Sequence, residues 1–267
     1  ILVTSNWVKE MYVRDGISGD KIEVLPVGCD TDRFKPYEKN DPKILAVRES
    51  LGISADQLMI LTVGGDAASK GAQEVMQALA IIDTKAPDWK YVCKVWPQPR
   101  TQSQNVEDLR MASDLGIEKN VTYATNTISR NFMPYLIAAC DIYAAPSRLE
   151  GFGMPQVEAG ACGKPVIGIK AMGMLDTLID GETAFLVTLG GESGFEDNYK
   201  IKFKEPRTVD YRANVQDIAS GLLTLMNDAS LREKMGQAGR KRVVANFDYR
   251  IVAKKFVEIM TDKFGLR

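Results

Sequence analysis

Two glutamates, Glu150 and Glu158, stand eight residues apart on either side of a glycine turn and a proline. The stretch reads Glu150-Gly151-Phe152-Gly153-Met154-Pro155, with Glu158 following. The glycines let a backbone approach a ligand closely. Pro155 suits the first turn of a helix, where a missing N–H costs nothing, and Glu158 is expected on that same turn. Asp141 to Ala145 before Pro146 predicts a short buried strand, and Pro165 to Ile169 predicts the next. Strand, glycine loop, helix start and strand together make a site for an anion at the carboxyl edge of a sheet. An anion seated there would have a carboxylate on each side to accept hydrogen bonds from hydroxyls.

A second loop supplies a cation. Leu61-Thr-Val-Gly64-Gly65-Asp-Ala-Ala-Ser-Lys70-Gly71 reads as strand, loop and helix opening. Gly64 and Gly65 permit close backbone approach, and Lys70 at the predicted start of a helix is chemically suited to a phosphate. The spacing is not that of a P-loop. Other chemistries are excluded by composition. The chain has no histidine, which removes a Ser-His-Asp or Cys-His centre and argues against a transition-metal site. Cys29, Cys93, Cys140 and Cys162 share no short spacing, so they imply neither a zinc site nor a disulfide framework and suggest a reducing, cytoplasmic setting. A net charge of −1 recommends no nucleic-acid partner, and no apolar run reaches membrane-spanning length.

The elements that must position these groups alternate. Helix is predicted over 43–51, 70–83, 106–115 and 132–139, and strand over 58–63, 90–95, 120–124 and 184–187. Alternation of short strands with helices means a doubly wound parallel sheet, an α/β fold with helices on both faces. Before it, residues 1–4 and 21–27 read as strands around a helix capped by Ser5. After it come three helices, over 215–226, 231–246 and 250–264. Residues 188–211 break the rhythm and suggest a surface loop with an added edge strand or hairpin.

Taken whole, Glu-Gly-Phe-Gly, then Glu158, then Ala-Cys-Gly-Lys-Pro-Val-Ile resembles the donor-binding signature of retaining glycosyltransferases of the GT-B fold, the group 1 family. That resemblance implies a Rossmann-like domain holding a nucleotide-diphosphate sugar. Glu150 would accept from donor-sugar hydroxyls and Glu158 from ribose hydroxyls. Backbone N–H groups around Gly151, Phe152, Gly153 and Met154 would hold sugar and phosphate. Lys70 would face the diphosphate, as in the family's Val-Gly-Arg-…-Lys-Gly segment, where the arginine position is Gly65 here. The strand 121–124 and the loop with Thr127 match the part that holds the base. Ala171-Met-Gly173-Met-Leu-Asp176 falls where the family has Gly-Gly-x-x-Glu, and Asp176 reads equally as a donor-loop acid or a helix-start aspartate. Asp30-Thr-Asp32 has the spacing of a metal pair from another glycosyltransferase fold, but the family resembled here needs no catalytic metal and no cofactor. The three tryptophans are expected to pack.

By the same resemblance, residues 1–37 are the end of an acceptor domain and a linker. Residues 38–227 are the donor domain, and 228–267 are helices of which the last returns toward the first domain. The implied activity is retaining transfer of a hexose to an acceptor hydroxyl, with the carbohydrate or other acceptor held mainly by the first domain. The chain alone is expected to bind donor and transfer nothing. A non-catalytic nucleotide-sugar-binding or interaction domain of the same fold is the alternative. Apolar stripes at Trp7, Val8, Met11 and Tyr12, and at Ile251, Phe256 and Ile259, are expected to pack against a partner or to self-associate.

Overall fold

The computed structural model describes residues 1–64, 67–96, 99–126, 129–190 and 211–265. Leu2–Val3 (β1) and Glu23–Val24 (β2) form a small parallel pair around the helix Asn6–Arg14 (α1). The main sheet follows, built from Leu58–Val63 (β3), Trp89–Lys94 (β4), Val121–Ala124 (β5), Ile142–Ala144 (β6), Val166–Ile169 (β7) and Ala184–Val187 (β8). Its helices are Pro42–Ser50 (α2), Ala72–Ile82 (α3), Pro99–Asp114 (α4), Met133–Ala139 (α5), Met154–Ala161 (α6) and the single turn Met174–Thr177 (α7). Val215–Asn227 (α8), Ala229–Asn246 (α9) and Tyr249–Phe264 (α10) close the chain's described part.

All neighbours in the six-stranded sheet are parallel, in the order β5-β4-β3-β6-β7-β8. Strands β3 to β8, renumbered one to six, run 3-2-1-4-5-6, the doubly wound dinucleotide-domain order. The order reverses between β3 and β6, whose register pairs Ile60 with Ile142 and Leu61 with Tyr143. Both strands are buried on both faces, which is why they read as nearly continuous apolar runs rather than alternating ones. Helix α3 packs on α8 and α4, while α2, α5, α6 and α9 pack in series.

Most predicted elements appear within a residue or two of their expected ends, and the departures have local causes. Helix α3 begins at Ala72, not Lys70, because Gly71 adopts a left-handed φ of 80° that ends a separate 3-10 turn. Helix α4 starts at Pro99, which is suited to a first helical position, several residues before the periodic stretch. The strand expected over 21–27 contracts to β2, since only two residues find a partner. The hairpin suggested within 188–211 falls mainly on residues 191–210, which lie outside the described residues. Trp89 is buried, but Trp96 is 59% exposed and does not pack as expected.

The two ends of the chain meet. The Cys29 N–H donates to the Phe247 carbonyl at 2.7 Å, and the Tyr249 N–H donates to the Cys29 carbonyl at 3.0 Å. Asp248, buried, accepts from Thr31 and pairs with Arg250 at 2.7 Å, while Lys263 pairs with Glu23 at 2.9 Å. Tyr12 and Val13 of α1 and Ile251, Phe256 and Val257 of α10 remain exposed.

Candidate active site

The site forms where the sheet order reverses, the usual place for a ligand in such a fold. The loop after β3 brings Lys70, and the loop after β6 brings Glu150. The two loops touch backbone to backbone: a Cβ on Gly71 would lie 2.5 Å from the Pro146 carbonyl oxygen, so no larger residue fits. The Arg148 N–H also donates to the Ser69 carbonyl at 3.0 Å. Across this seam Lys70 Nζ donates to Glu150 Oε2 at 2.7 Å, both side chains being about four-fifths covered or more.

Glu150 is held on every side. Its other oxygen, Oε1, accepts from the Gly153 N–H at 3.2 Å. Its own N–H donates to Met172 Sδ at 3.4 Å, and its carbonyl accepts from the Gly173 N–H at 3.1 Å. Gly173 is tight against the same loop, since a Cβ there would stand 2.1 Å from the Gly151 oxygen. The Gly151 carbonyl accepts from Ser5 Oγ at 2.6 Å, so the residue that caps α1 also braces the glycine turn.

Glu158 differs. Helix α6 starts at Met154, which puts Glu158 on the second turn rather than the first. It is half-buried, and its carboxylate has no hydrogen bond or ion pair among the described residues. Burial pushes its pKa up to about 7 from 4.5, with the charge of Arg130 pulling weakly the other way. A carboxylate kept without a partner in a covered position carries a desolvation cost that donors from a ligand would offset.

Of the other expected residues, Gly64 extends the sheet by donating to the Lys94 carbonyl at 3.0 Å. The Phe152 side chain is buried edge-on against Phe247, with centroids 5.6 Å apart, so only its backbone can face a ligand. Met154 opens α6 and is half-buried. Gly65 and Thr127 lie outside the described residues. Asp176 stands in the short turn α7 and caps α1, accepting from the Asn6 N–H at 3.2 Å. Asp30 accepts from the Asp32 and Arg33 N–H groups in a turn while Asp32 pairs with Arg250, so the two aspartates do not converge on a common point.

Reading the sequence missed Arg148 and Met172. Arg148, next to the signature glutamate, grips buried Glu74 at 2.8 Å and Gln73 at 2.9 Å. Gln73 in turn donates to Asp108, which Tyr123 of β5 also contacts at 2.7 Å. This chain of bonds links the signature loop to the strand beside the predicted base-holding loop. The available signal was a charge inside the signature itself. Met172 adopts a left-handed φ of 57°, which favours glycine, and stands where the family has the first of two glycines.

The model of the family described as glycosyl transferases group 1 matches residues 44–194, more than half of the chain. The chain belongs to that family. This member of the group 1 family is 28% identical over 250 residues to the GDP-mannose-dependent alpha-(1-6)-phosphatidylinositol monomannoside mannosyltransferase of Mycolicibacterium smegmatis, covering 91% of this chain and 56% of that protein. It therefore spans about half the length of that curated relative. Among solved structures, it resembles HepE of Anabaena in complex with UDP and glucose, with a TM-score of 0.79 and 21% identity, covering 97% of this chain and 62% of that one. It also matches the C-terminal domain of LpcC, a group 1 protein of Francisella tularensis, with a TM-score of 0.64 and 25% identity, covering 83% of this chain and 99% of that domain. The fold is the Rossmann-like α/β fold of GT-B glycosyltransferases. Among the described residues no helix is long and apolar enough to cross a membrane.

Proposed function

We propose that this chain is the donor-binding half of a retaining hexosyltransferase that uses a nucleotide-diphosphate sugar. The observation that carries the reading is the meeting of Lys70, Glu150 and the Gly153 N–H at the switch point, with unpartnered Glu158 on the helix that follows. Lys70 meets the diphosphate charge, and main-chain N–H groups around Gly151 to Met154 that are not held by Glu150 meet sugar and phosphate, so the reading invokes no metal and no cofactor. Glu150 takes sugar hydroxyls and Glu158 takes ribose hydroxyls. The GDP-mannose of the mycobacterial relative and the UDP and glucose of HepE support this donor class.

In the reaction, an acceptor hydroxyl oxygen bonds to the anomeric carbon on the face from which the diphosphate departs. The bond from that carbon to the phosphate oxygen breaks, and the acceptor proton passes to the departing phosphate. Lys70 stabilises the charge that develops there, and such preset charge is worth most in a dry site. The acceptor is held by a further domain packed against the exposed apolar residues of α1 and α10, where a second copy could pack in its absence. Four free, buried cysteines support a cytoplasmic setting.

Calorimetric titration with UDP-, GDP- and ADP-sugars, followed by a transfer assay, tests the reading. Binding of one nucleotide class, no transfer by the chain alone, and transfer with retained anomeric configuration once the acceptor domain is joined are expected. Steady transfer by the isolated chain would overturn the half-enzyme reading. The second reading, a non-catalytic nucleotide-sugar-binding domain, is favoured by Gly65 where the family has arginine. Donor binding without transfer, even with the acceptor domain joined, would establish it.

A further inference from the structure

At the switch point, the cation proposed for phosphate and the carboxylate proposed for sugar hold each other. Lys70 Nζ lies 2.7 Å from Glu150 Oε2, and Gly153 N–H, Met172 Sδ and Gly173 N–H occupy the remaining hydrogen-bonding atoms of Glu150. Each carboxylate oxygen of Glu150 therefore already accepts one hydrogen bond, and a sugar hydroxyl arriving at Oε2 meets an ammonium already bound there. The Glu150 backbone is also fixed on both sides, through Met172 and Gly173, so the loop itself is poorly placed to give way. Lys70 is the movable member. It is a four-carbon stem on a short turn ending at left-handed Gly71, and its ammonium has this one recorded partner among the described residues.

We propose that the Lys70–Glu150 pair is a latch across the switch point, opened by the ligand's diphosphate, so that the sugar-binding oxygen becomes available only once a diphosphate has drawn Lys70 away. The inference rests on the donor-binding reading above. A diphosphate offers the ammonium more charge than one carboxylate does, so Lys70 turns to it. Glu150 Oε2 then loses its donor while Oε1 keeps the Gly153 N–H. A largely covered carboxylate oxygen without a donor is costly, and the hydroxyls of the sugar joined to that diphosphate are the nearest replacements. A free hexose brings no charge to exchange and must compete with the ammonium. The latch therefore selects sugars carried on a diphosphate over free sugars and over nucleoside monophosphates. It also means that part of the diphosphate's attraction to Lys70 is spent on opening the pair.

That last point gives a test with an unusual sign. Affinities of UDP, GDP and ADP, and of UDP-glucose and GDP-mannose, are measured by calorimetry for the chain and for Glu150→Gln, Lys70→Met and the double variant. A carboxamide still accepts from Lys70, but a neutral acceptor holds an ammonium about half as strongly as a charged one. Glu150→Gln should therefore bind the free nucleoside diphosphate several-fold more tightly than the unaltered chain, while the extra affinity gained from the attached sugar shrinks. Lys70→Met should bind the diphosphate about tenfold or more weakly, and in that background Glu150→Gln should no longer strengthen it. If the amide variant is unfolded by circular dichroism, Glu150→Asp, which withdraws the carboxylate by one methylene, should give a smaller rise of the same sign. A folded Glu150 variant whose diphosphate affinity is unchanged or lower overturns the latch and leaves the donor reading standing. Binding of none of the three nucleoside diphosphates by the unaltered chain overturns the reading and the latch together.

Discussion

Glu150 and Glu158 belong to one signature, yet they sit in opposite electrostatic circumstances. Glu150 is paired with Lys70, bonded to Gly153 and clamped through its own backbone. Glu158 is similarly covered but has no partner among the described residues, and burial holds its pKa near 7. The difference comes from where each stands. A residue in the loop after β6 can meet the loop after β3 across the seam, whereas Glu158 on the second turn of α6 feels the charge of Arg130 but meets no hydrogen-bond donor among the described residues. One acid is therefore complete before a ligand arrives and the other is not. A ligand reaching Glu150 would have to exchange with an existing partner, while one reaching Glu158 would relieve a cost already present.

The sharpest way to break this comparison is to delete each acid in turn. If Glu158 accepts two ribose hydroxyls, each such charged bond is worth roughly 1.5–3 kcal/mol when lost. Glu158→Ala should weaken free nucleoside diphosphate and sugar-linked donor alike, by about tenfold or more. Glu150 variants should instead reduce the advantage of the sugar-linked donor. If calorimetry shows that Glu158→Ala weakens only the sugar-linked donor, the two roles are exchanged.

The frame around Glu150 can be tested by stability. A Cβ at Gly173 would lie 2.1 Å from the Gly151 oxygen, a backbone atom with no rotamer to change. Gly173→Ala should cost about 1–3 kcal/mol, as overpacking does. That corresponds to a melting temperature lower by about 2–4 °C for each kcal/mol in a domain of this size. Glu158→Ala should cost nothing of this kind, because no described residue depends on its carboxylate. An unchanged melting temperature for Gly173→Ala would mean that the glycine turn is not clamped and that Glu150 can move to meet its ligand.

The main sheet was legible because buried parallel strands leave mostly apolar runs: Leu58–Val63, whose ends the structure repeats, is broken only by Thr62. The signature was legible because its glycines, proline and acids are close in sequence. What could not be read were relations between distant segments. Nothing in the spacing of Lys70 and Glu150, eighty residues apart, says that they pair at 2.7 Å. Nor could the spacing show that Ser5 braces Gly151 or that Arg148 reaches Glu74. Lys70 was misplaced by its neighbour: periodicity carried the helix back to it, while left-handed Gly71 holds it on a separate turn. Spacing also could not show that Asp176, which reads as a donor-loop acid or a helix-start aspartate, accepts from the Asn6 N–H at the start of α1.

The smallest expected effect is the one that separates the two acids most cleanly, because it needs only pH. Burial raises the Glu158 pKa from 4.5 to about 7, so the folded chain binds this proton more tightly than the unfolded chain does. Stability therefore carries no penalty from Glu158 while it is protonated in both states. It falls as pH rises from about 4.5 to about 7 and levels off above. Glu158→Gln never ionises. Its melting temperature should match that of the unaltered chain below about pH 4 and exceed it near pH 8 by a few degrees, on the order expected for about 1 kcal/mol, less than the whole shift would give because half-buried Glu158 keeps part of its hydration. A nucleoside diphosphate acts in the opposite direction, since ribose hydroxyls donating to the carboxylate favour its charged form. Binding near pH 6.5 should release part of a proton. The heat of binding should then depend on the ionisation enthalpy of the buffer in the unaltered chain and become independent of it in Glu158→Gln. Equal buffer dependence in both would show that the proton comes from elsewhere, and that Glu158 is not the acid the ribose meets.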